Sequence, residues 1–219
     1  MYNVLLEAIR ARNSPLALLL IEYGATVTFT EAVSEESPLW AAVEAGLTEV
    51  VGCLLKKGTN PGEATEGTSG GKVDQRQLSL RLAALKGYVN IVNLLLDSSP
   101  TMDVNEGDED GTTPLMLASW GGHLETVLTL LRHKSVSVNQ QNSDGHTALM
   151  FAYLAKSQTG TLLSSLQTRY GALPQGVMGP AVEMAGVGMQ NYRSVIQSLL
   201  DAGSRADIQV GDASVVELL

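Results

Sequence analysis

A period of about 34 residues runs along the chain, and it limits the possible folds more than any other feature of the sequence. The clearest landmark is Leu115, which follows Thr113-Pro114. Counterparts of Leu115 are Leu5, Leu39, Leu80, Leu149, Val182 and Val216, so that successive landmarks are 34, 41, 35, 34, 33 and 34 residues apart. An alanine follows three residues later at Ala8, Ala42, Ala83, Ala118, Ala152 and Ala185. This pattern predicts an array of small repeated units.

Each unit is predicted to contain two short helices, most clearly in residues 111–131. The hydroxyl group of Thr113 can cap a helix whose first residue is Pro114, and Gly121-Gly122 then ends that helix. The apolar residues of a second helix follow at helical spacing: Leu124, Val127, Leu128 and Leu131. Two short helices cannot bury their apolar faces alone, so we expect successive units to stack.

Three segments resemble the opening motif Thr-Pro-Leu-His-x-Ala of the ankyrin-repeat family. They are Ser-Pro-Leu-Trp-Ala-Ala at 37–42, Thr-Pro-Leu-Met-Leu-Ala at 113–118 and Thr-Ala-Leu-Met-Phe-Ala at 147–152. Gly122-His123 resembles the family's turn between helices, and Asp103-Val104-Asn105 resembles its hairpin. The resemblance implies an all-α solenoid, with stacked ankyrin-type helix-turn-helix repeats and short β-hairpin loops.

The resemblance extends over residues 1–219 as a single ankyrin-repeat domain. The expected repeats are approximately 1–34, 35–75, 76–110, 111–143, 144–178 and 179–211, with a partial repeat at 212–219. The sixth repeat is identified by its spacing and by a second helix from Tyr192 to Asp201. The sequence does not fix its boundary with the fifth repeat.

Two segments depart from the regular unit. Residues 59–77 carry the excess length of the second repeat, and Val73 is their only aliphatic residue larger than alanine. They predict an exposed loop at a hairpin tip, with a partner-contacting finger as the alternative. Residues 173–190 combine glycine and proline with apolar residues that include Met178 and Met184. They predict a degenerate inner helix, with an adaptable binding surface as the alternative.

Composition excludes several classes of partner. The chain has 14 Lys and Arg against 23 Asp and Glu, and its net charge of −9 with no basic patch disfavours nucleic acid. Its longest strongly apolar stretch, residues 16–21, is too short to insert across a membrane. The single cysteine, Cys53, fits a reducing compartment. We therefore expect a cytoplasmic location, with the nucleus as an alternative.

No pattern predicts catalysis. The intervals between His123, His133 and His146 match no zinc or metalloprotease spacing. Cys53 lies among apolar residues of a second helix, where a small buried side chain is expected. The interpretation is a protein that is not an enzyme and that holds no metal or cofactor.

The resemblance implies that partners bind at the hairpin tips and on the exposed side of the inner helices, which are the first helices of the units. Five residues after the landmark, that exposed position changes along the chain from charged to apolar, through Arg10, Glu44, Leu85, Trp120 and Leu154. Leu85, Trp120 and Leu154 predict an apolar anchor site, although Trp120 could instead pack over the Gly121-Gly122 turn. The hairpin residues expected beside them are Asp110, Thr112, Asp144 and His146.

These features predict a monomeric, non-catalytic module for protein–protein interaction, whose partner offers an apolar anchor and a basic flank. An alternative is a regulatory or targeting segment of a larger enzyme, channel or adaptor. That alternative follows from the apolar pattern at residues 215–219, which stops inside a unit.

Overall fold

The computed structural model describes residues 2–25, 37–58, 75–100, 102–157, 190–204, 209–210 and 213–214. The first eight helices are α1 (Tyr2–Arg10), α2 (Ser14–Glu22), α3 (Pro38–Glu44), α4 (Thr48–Gly58), α5 (Gln75–Lys86), α6 (Val89–Ser98), α7 (Pro114–Trp120) and α8 (Leu124–Leu131). Helical residues 148–157 and 190–201 are named α9 and α10. Strands β1 (Gln209–Val210) and β2 (Ala213–Ser214) pair antiparallel, with Gln209 opposite Ser214. Paired short helices confirm the predicted fold class, an all-α solenoid of helix-turn-helix repeats.

The chain forms two compact units. The N-terminal unit is Met1–Ala83 with Tyr88–Asp103, and the C-terminal unit is Ala84–Gly87 with Val104–Leu219. In the N-terminal unit α1 packs against α2 and α3, α2 packs against α4, and α4 packs against α6. In the C-terminal unit α7 packs against α8.

Side-chain caps fix where the inner helices begin. Thr113 Oγ1 accepts a hydrogen bond from Met116 N at 3.3 Å, and Pro114 takes the first turn of α7 as predicted. Ser37 does the same for α3, where its Oγ lies 2.8 Å from Trp40 N. These caps satisfy N–H groups that have no partner inside the helix.

Most of the described landmarks lie in the core. Leu5, Leu80, Leu115 and Leu149 are buried, whereas the landmark Leu39 is half-buried. The alanines Ala8, Ala42, Ala83, Ala118 and Ala152 are all buried. The small alanine side chains sit where neighbouring helices leave little room, which explains why alanine recurs at this position. The landmarks Val182 and Val216 lie outside the described residues.

Two local predictions differ from the structure. The loop predicted over 59–77 was wrong for Gln75–Gln77, because these residues form the first turn of α5. Gln77 is anchored there by its Nε2, which donates to the carbonyl oxygen of Asp103 at 3.0 Å. Cys53 is half-buried rather than fully buried. Residues 59–74, and the helix predicted within 173–190 except for Gln190, lie outside the described residues.

An aromatic ring covers a turn glycine at two places in the C-terminal unit. A methyl group added to Gly87 would overlap the imidazole ring of His123. A methyl group added to Gly122 would lie 2.9 Å from the ring of Tyr192. Gly122 also has a φ of +66°, which L side chains rarely adopt. Both turns therefore require glycine for the close approach of the ring.

Hydrogen bonds show that α10 packs on the fourth helix pair, α7 and α8. In the same way, the start of α8 packs on the residues at the end of α5. His123 Nε2 donates to the Leu85 carbonyl at 3.0 Å, and the Tyr192 hydroxyl donates to the Trp120 carbonyl at 2.9 Å. The partners are 38 residues apart in the first pair and 72 in the second.

The hairpin asparagines repeat this relation. Asn105 Nδ2 donates to the Ser135 carbonyl, which follows α8, and Asn139 Nδ2 donates to the Gly203 carbonyl, which follows α10. Here the separations are 30 and 64 residues. In both sets of hydrogen bonds, the sequence separation that involves α10 is longer than the one that involves α8 by one repeat period.

This geometry indicates that α9 and α10 are the two helices of one pair. The spacing of landmarks predicted a boundary inside residues 144–211 instead, with α10 in a sixth repeat. The segment between the two helices, residues 158–189, is close to one repeat in length. A segment of that length keeps the period intact, so spacing alone does not show whether α10 belongs to the same pair as α9.

The substitution Gly122→Ala should destabilise the protein more than Gly145→Ala. Both glycines have positive φ, 66° and 78°, at which a side chain costs about 1–2 kcal/mol. Nothing lies within 4 Å of a methyl group on Gly145, whereas the Tyr192 ring lies against one on Gly122. The clash should add about 1–3 kcal/mol to the loss of unfolding free energy, measured by urea denaturation.

The Tyr192→Ala background supplies the control. Without the ring, the two glycine substitutions should cost the same. An excess for Gly122→Ala that survives loss of the ring would contradict the position of α10.

Candidate functional site

The three predicted anchor residues all belong to the C-terminal unit. Leu85 lies near the end of α5 and is 38% exposed. Trp120 is the last residue of α7, and Leu154 lies in α9; both are half-buried. Apolar side chains at the ends of inner helices are thus partly open to solvent.

Trp120 is held in place from two sides. Its ring meets Phe151 edge to face, with centroids 6.0 Å apart and an interplanar angle of 81°. Its carbonyl oxygen accepts the hydrogen bond from the Tyr192 hydroxyl. The Trp120 ring thus packs against Phe151 while part of the side chain is exposed, and its role as an anchor stays a prediction.

Phe151 is a residue that sequence reasoning missed. It lies two residues after Leu149 and is half-buried. Besides Trp120, its ring meets the imidazole of His146 edge to face, with centroids 6.1 Å apart and an interplanar angle of 89°. The available signal was that Phe151 is one of two phenylalanines in the chain. Trp120, Phe151 and His146 together are called the aromatic row.

Two successive hairpins share one turn geometry. Asp108 Oδ1 accepts hydrogen bonds from the N–H groups of Asp110 and Thr112, at 3.1 and 2.8 Å. In the next hairpin Asn142 Oδ1 accepts from Asp144 and His146 in the same way, at 3.2 and 2.8 Å. An aspartate or asparagine that binds its own turn in this manner fixes the backbone that follows.

The two hairpins are also joined directly. Ser143 N donates to the Asp110 carbonyl at 2.8 Å. Asp110 and Asp144 are exposed on these hairpins. Thr112 is 8% exposed, so its side chain faces inward, whereas His146 at the equivalent position is half-buried and contacts the aromatic row.

The carboxylates of this region have no basic partner in the part of the chain that the structure describes. Glu106, Asp108, Glu109, Asp110 and Asp144 are all exposed, and none of them forms an ion pair there. A run of unneutralised carboxylates creates a negative potential beside the aromatic row.

A family model for ankyrin repeats in three copies matches residues 80–167. These residues contain the aromatic row, both acidic hairpins and all three anchor residues, and ankyrin repeats are generally protein-interaction modules. This confirms the predicted resemblance for residues 80–167.

Three curated relatives share parts of the sequence. Identity is 36% over 94 residues with the photoreceptor ankyrin repeat protein of Homo sapiens and 32% over 130 residues with the nuclear factor NF-kappa-B p105 subunit of Mus musculus. It is 27% over 162 residues with the ankyrin repeat and KH domain-containing protein mask-1 of Caenorhabditis elegans. These matches cover 43%, 54% and 60% of this chain but only 19%, 13% and 6% of the relatives. The chain thus corresponds to a small part of each relative.

The described residues offer little for other chemistry. No three of their His, Cys, Asp or Glu side chains are placed to hold a metal ion. His133 Nδ1 lies 2.9 Å from Ser135 Oγ. Within the same residues, no helix is long and apolar enough to cross a bilayer. Proteins built from ankyrin repeats are typically non-catalytic.

The substitution Asn142→Ala should loosen the hairpin turn that contains Asp144 and His146. It removes the acceptor of two backbone N–H groups, those of Asp144 and His146. We expect a loss of about 1–2 kcal/mol in unfolding free energy and faster amide hydrogen exchange at both residues. The adjacent exposed Gln141→Ala is the matched control, and equal exchange in the two variants would show that Asn142 does not fix the turn.

Proposed function

We propose that the chain is a protein–protein interaction module that binds its partner on the surface formed by Leu85, Trp120 and Leu154. The observation that carries this proposal is the aromatic row, because the Trp120 ring packs against Phe151 and yet is partly exposed. Interface hot spots are enriched in tryptophan and lie in well-packed surroundings. Leu85 adds exposed apolar area within the same unit.

The acidic hairpins would select the partner. Asp110 and Asp144 supply charge, whereas the buried Thr112 would act indirectly, because its N–H group donates to Asp108 Oδ1 and so closes the turn that carries Asp110. His146 would contact the partner from the end of the aromatic row. A partner with one apolar anchor and a basic flank complements this surface.

The remaining features of the proposal concern the whole chain. We take residues 1–219 as one ankyrin-repeat domain that is monomeric, non-catalytic and works without a cofactor. The net charge of −9 supports a protein partner over nucleic acid. The single cysteine supports a reducing compartment, the cytoplasm or the nucleus.

A second candidate function is that of a regulatory or targeting segment of a larger enzyme, channel or adaptor. The small share of each relative that the chain matches favours it, since those relatives carry much sequence outside the matched part. A transcript that continues beyond residue 219 into a catalytic or membrane domain would support this candidate.

The double variant Leu85→Glu/Trp120→Glu should lose the partner. Truncation or charging of a central tryptophan typically weakens binding by about 30-fold or more, so affinity capture from cell lysate should recover a protein with the wild type alone. The matched control is Leu19→Glu, which places a charge on an exposed leucine of α2 in the N-terminal unit. Both variants must keep the wild-type circular dichroism spectrum and melting temperature. Capture of the same proteins by all three would overturn the proposed surface.

The double variant Asp110→Asn/Asp144→Asn should weaken capture of the same partner and reduce its dependence on salt. Rim charges of an interface mainly affect association rate, and salt screens them. We expect an affinity loss of about three- to thirty-fold at low ionic strength. Glu49→Gln/Asp97→Asn removes two exposed charges of the N-terminal unit as a control. Equal losses in the two variants would mean that overall charge, and not the hairpins, attracts the partner.

A further inference from the structure

The aromatic row and Asp144, which lies on the same turn as His146, form an environment suited to a cation. Aromatic rings carry negative charge on their faces, and tryptophan attracts cations most strongly. In an edge-to-face pair at least one ring keeps a face free of its neighbour, and all three rings of the row are partly exposed. Asp144 is two residues from His146 on the same fixed turn.

The described part of the chain does not itself supply this cation. Asp110 and Asp144 form no ion pair there. Lys156, the basic residue of α9, is directed at a different ring, with its Nζ 5.9 Å from the centre of Tyr153. Within the described residues, the cation–π contact of α9 thus involves Tyr153 and not the aromatic row.

Resting on the proposed function, we infer that the aromatic row with Asp144 binds an arginine side chain of the partner. A guanidinium group is planar, so it stacks on aromatic faces, and its N–H groups can donate two parallel hydrogen bonds to one carboxylate. An ammonium group of lysine keeps the positive charge that the rings and carboxylate attract, but it is not planar and does not form the two parallel hydrogen bonds. An uncharged apolar side chain would leave the carboxylates without a partner.

The test selects peptides from a random 12-residue display library on the full chain. Peptides that bind the wild type but not Leu85→Glu/Trp120→Glu are synthesised in three versions: with arginine, with citrulline and with lysine. Citrulline keeps the shape of arginine and removes its charge. We expect arginine to be enriched, citrulline to weaken binding by about five- to thirty-fold, and lysine to weaken it less.

Variants of the protein locate the contact. Phe151→Leu keeps apolar volume without a ring, and Asp144→Asn removes the charge; each should weaken the arginine peptide by about five- to thirty-fold and leave the citrulline peptide almost unchanged. The controls are Tyr23→Leu, at a residue that is 78% exposed and follows α2, and Asp97→Asn in α6. If Phe151→Leu does not fold, the citrulline comparison and Asp144→Asn still decide the outcome.

The test distinguishes a failure of the arginine site from a failure of the proposed interaction surface. Peptides that require Leu85 and Trp120 but tolerate citrulline would overturn the arginine site and leave the proposed interaction surface intact. If the library yields no peptide that depends on Leu85 and Trp120, both the site and the surface are wrong.

Discussion

A hydrogen bond from an aromatic side chain to the carbonyl group at the end of the preceding inner helix connects successive helix pairs in the C-terminal unit. The last carbonyl groups of a helix have no partner within it. Here the Leu85 carbonyl receives His123, and the Trp120 carbonyl receives Tyr192. Each donor ring also covers a turn glycine, so ring packing and hydrogen bonding reinforce one another. The turn after α7 satisfies the carbonyl groups of Leu117, Ala118 and Ser119, and the next pair satisfies that of Trp120. Such contacts between neighbours are what stabilise a repeat array.

Trp120 has two separate roles, one for its backbone carbonyl and one for its ring. The backbone carbonyl of Trp120 serves the stack, while its ring faces Phe151 and solvent. A change of the Trp120 side chain therefore leaves the hydrogen bond to Tyr192 possible. This separation lets a repeat protein change its surface without losing its scaffold.

Much of the scaffold follows from local chemistry and could be predicted. Thr113 and Pro114 mark the start of α7 because a hydroxyl cap and a residue without an N–H group both suit that position. The buried landmarks Leu80, Leu115 and Leu149 follow from the period. The apolar pattern of α8 was less exact, since its buried residues are Thr126, Val127 and Leu130, while Leu124, Leu128 and Leu131 are half-buried. The neighbours of a helix decide which of its sides is buried, and the apolar spacing of that helix alone does not show where they lie.

The remaining features depend on contacts between residues far apart in sequence. Phe151 has no significance until α7 and α9 place it against Trp120 and His146. The pairing of α9 with α10 is likewise hidden, because residues 158–189 match the repeat in length. Hydrogen bonds of Tyr192 and Asn139 reveal it, at sequence separations of 72 and 64 residues.

The position of α10 on the fourth pair also makes the C-terminal unit sensitive to truncation. A chain that ended at residue 157 would lack the Tyr192 hydroxyl that donates to the Trp120 carbonyl and the Gly203 carbonyl that accepts from Asn139. The family model that matches residues 80–167 includes neither Tyr192 nor Gly203. A fragment cut to the matched residues would therefore uncover the Gly122 turn, which the Tyr192 ring covers in the longer chain.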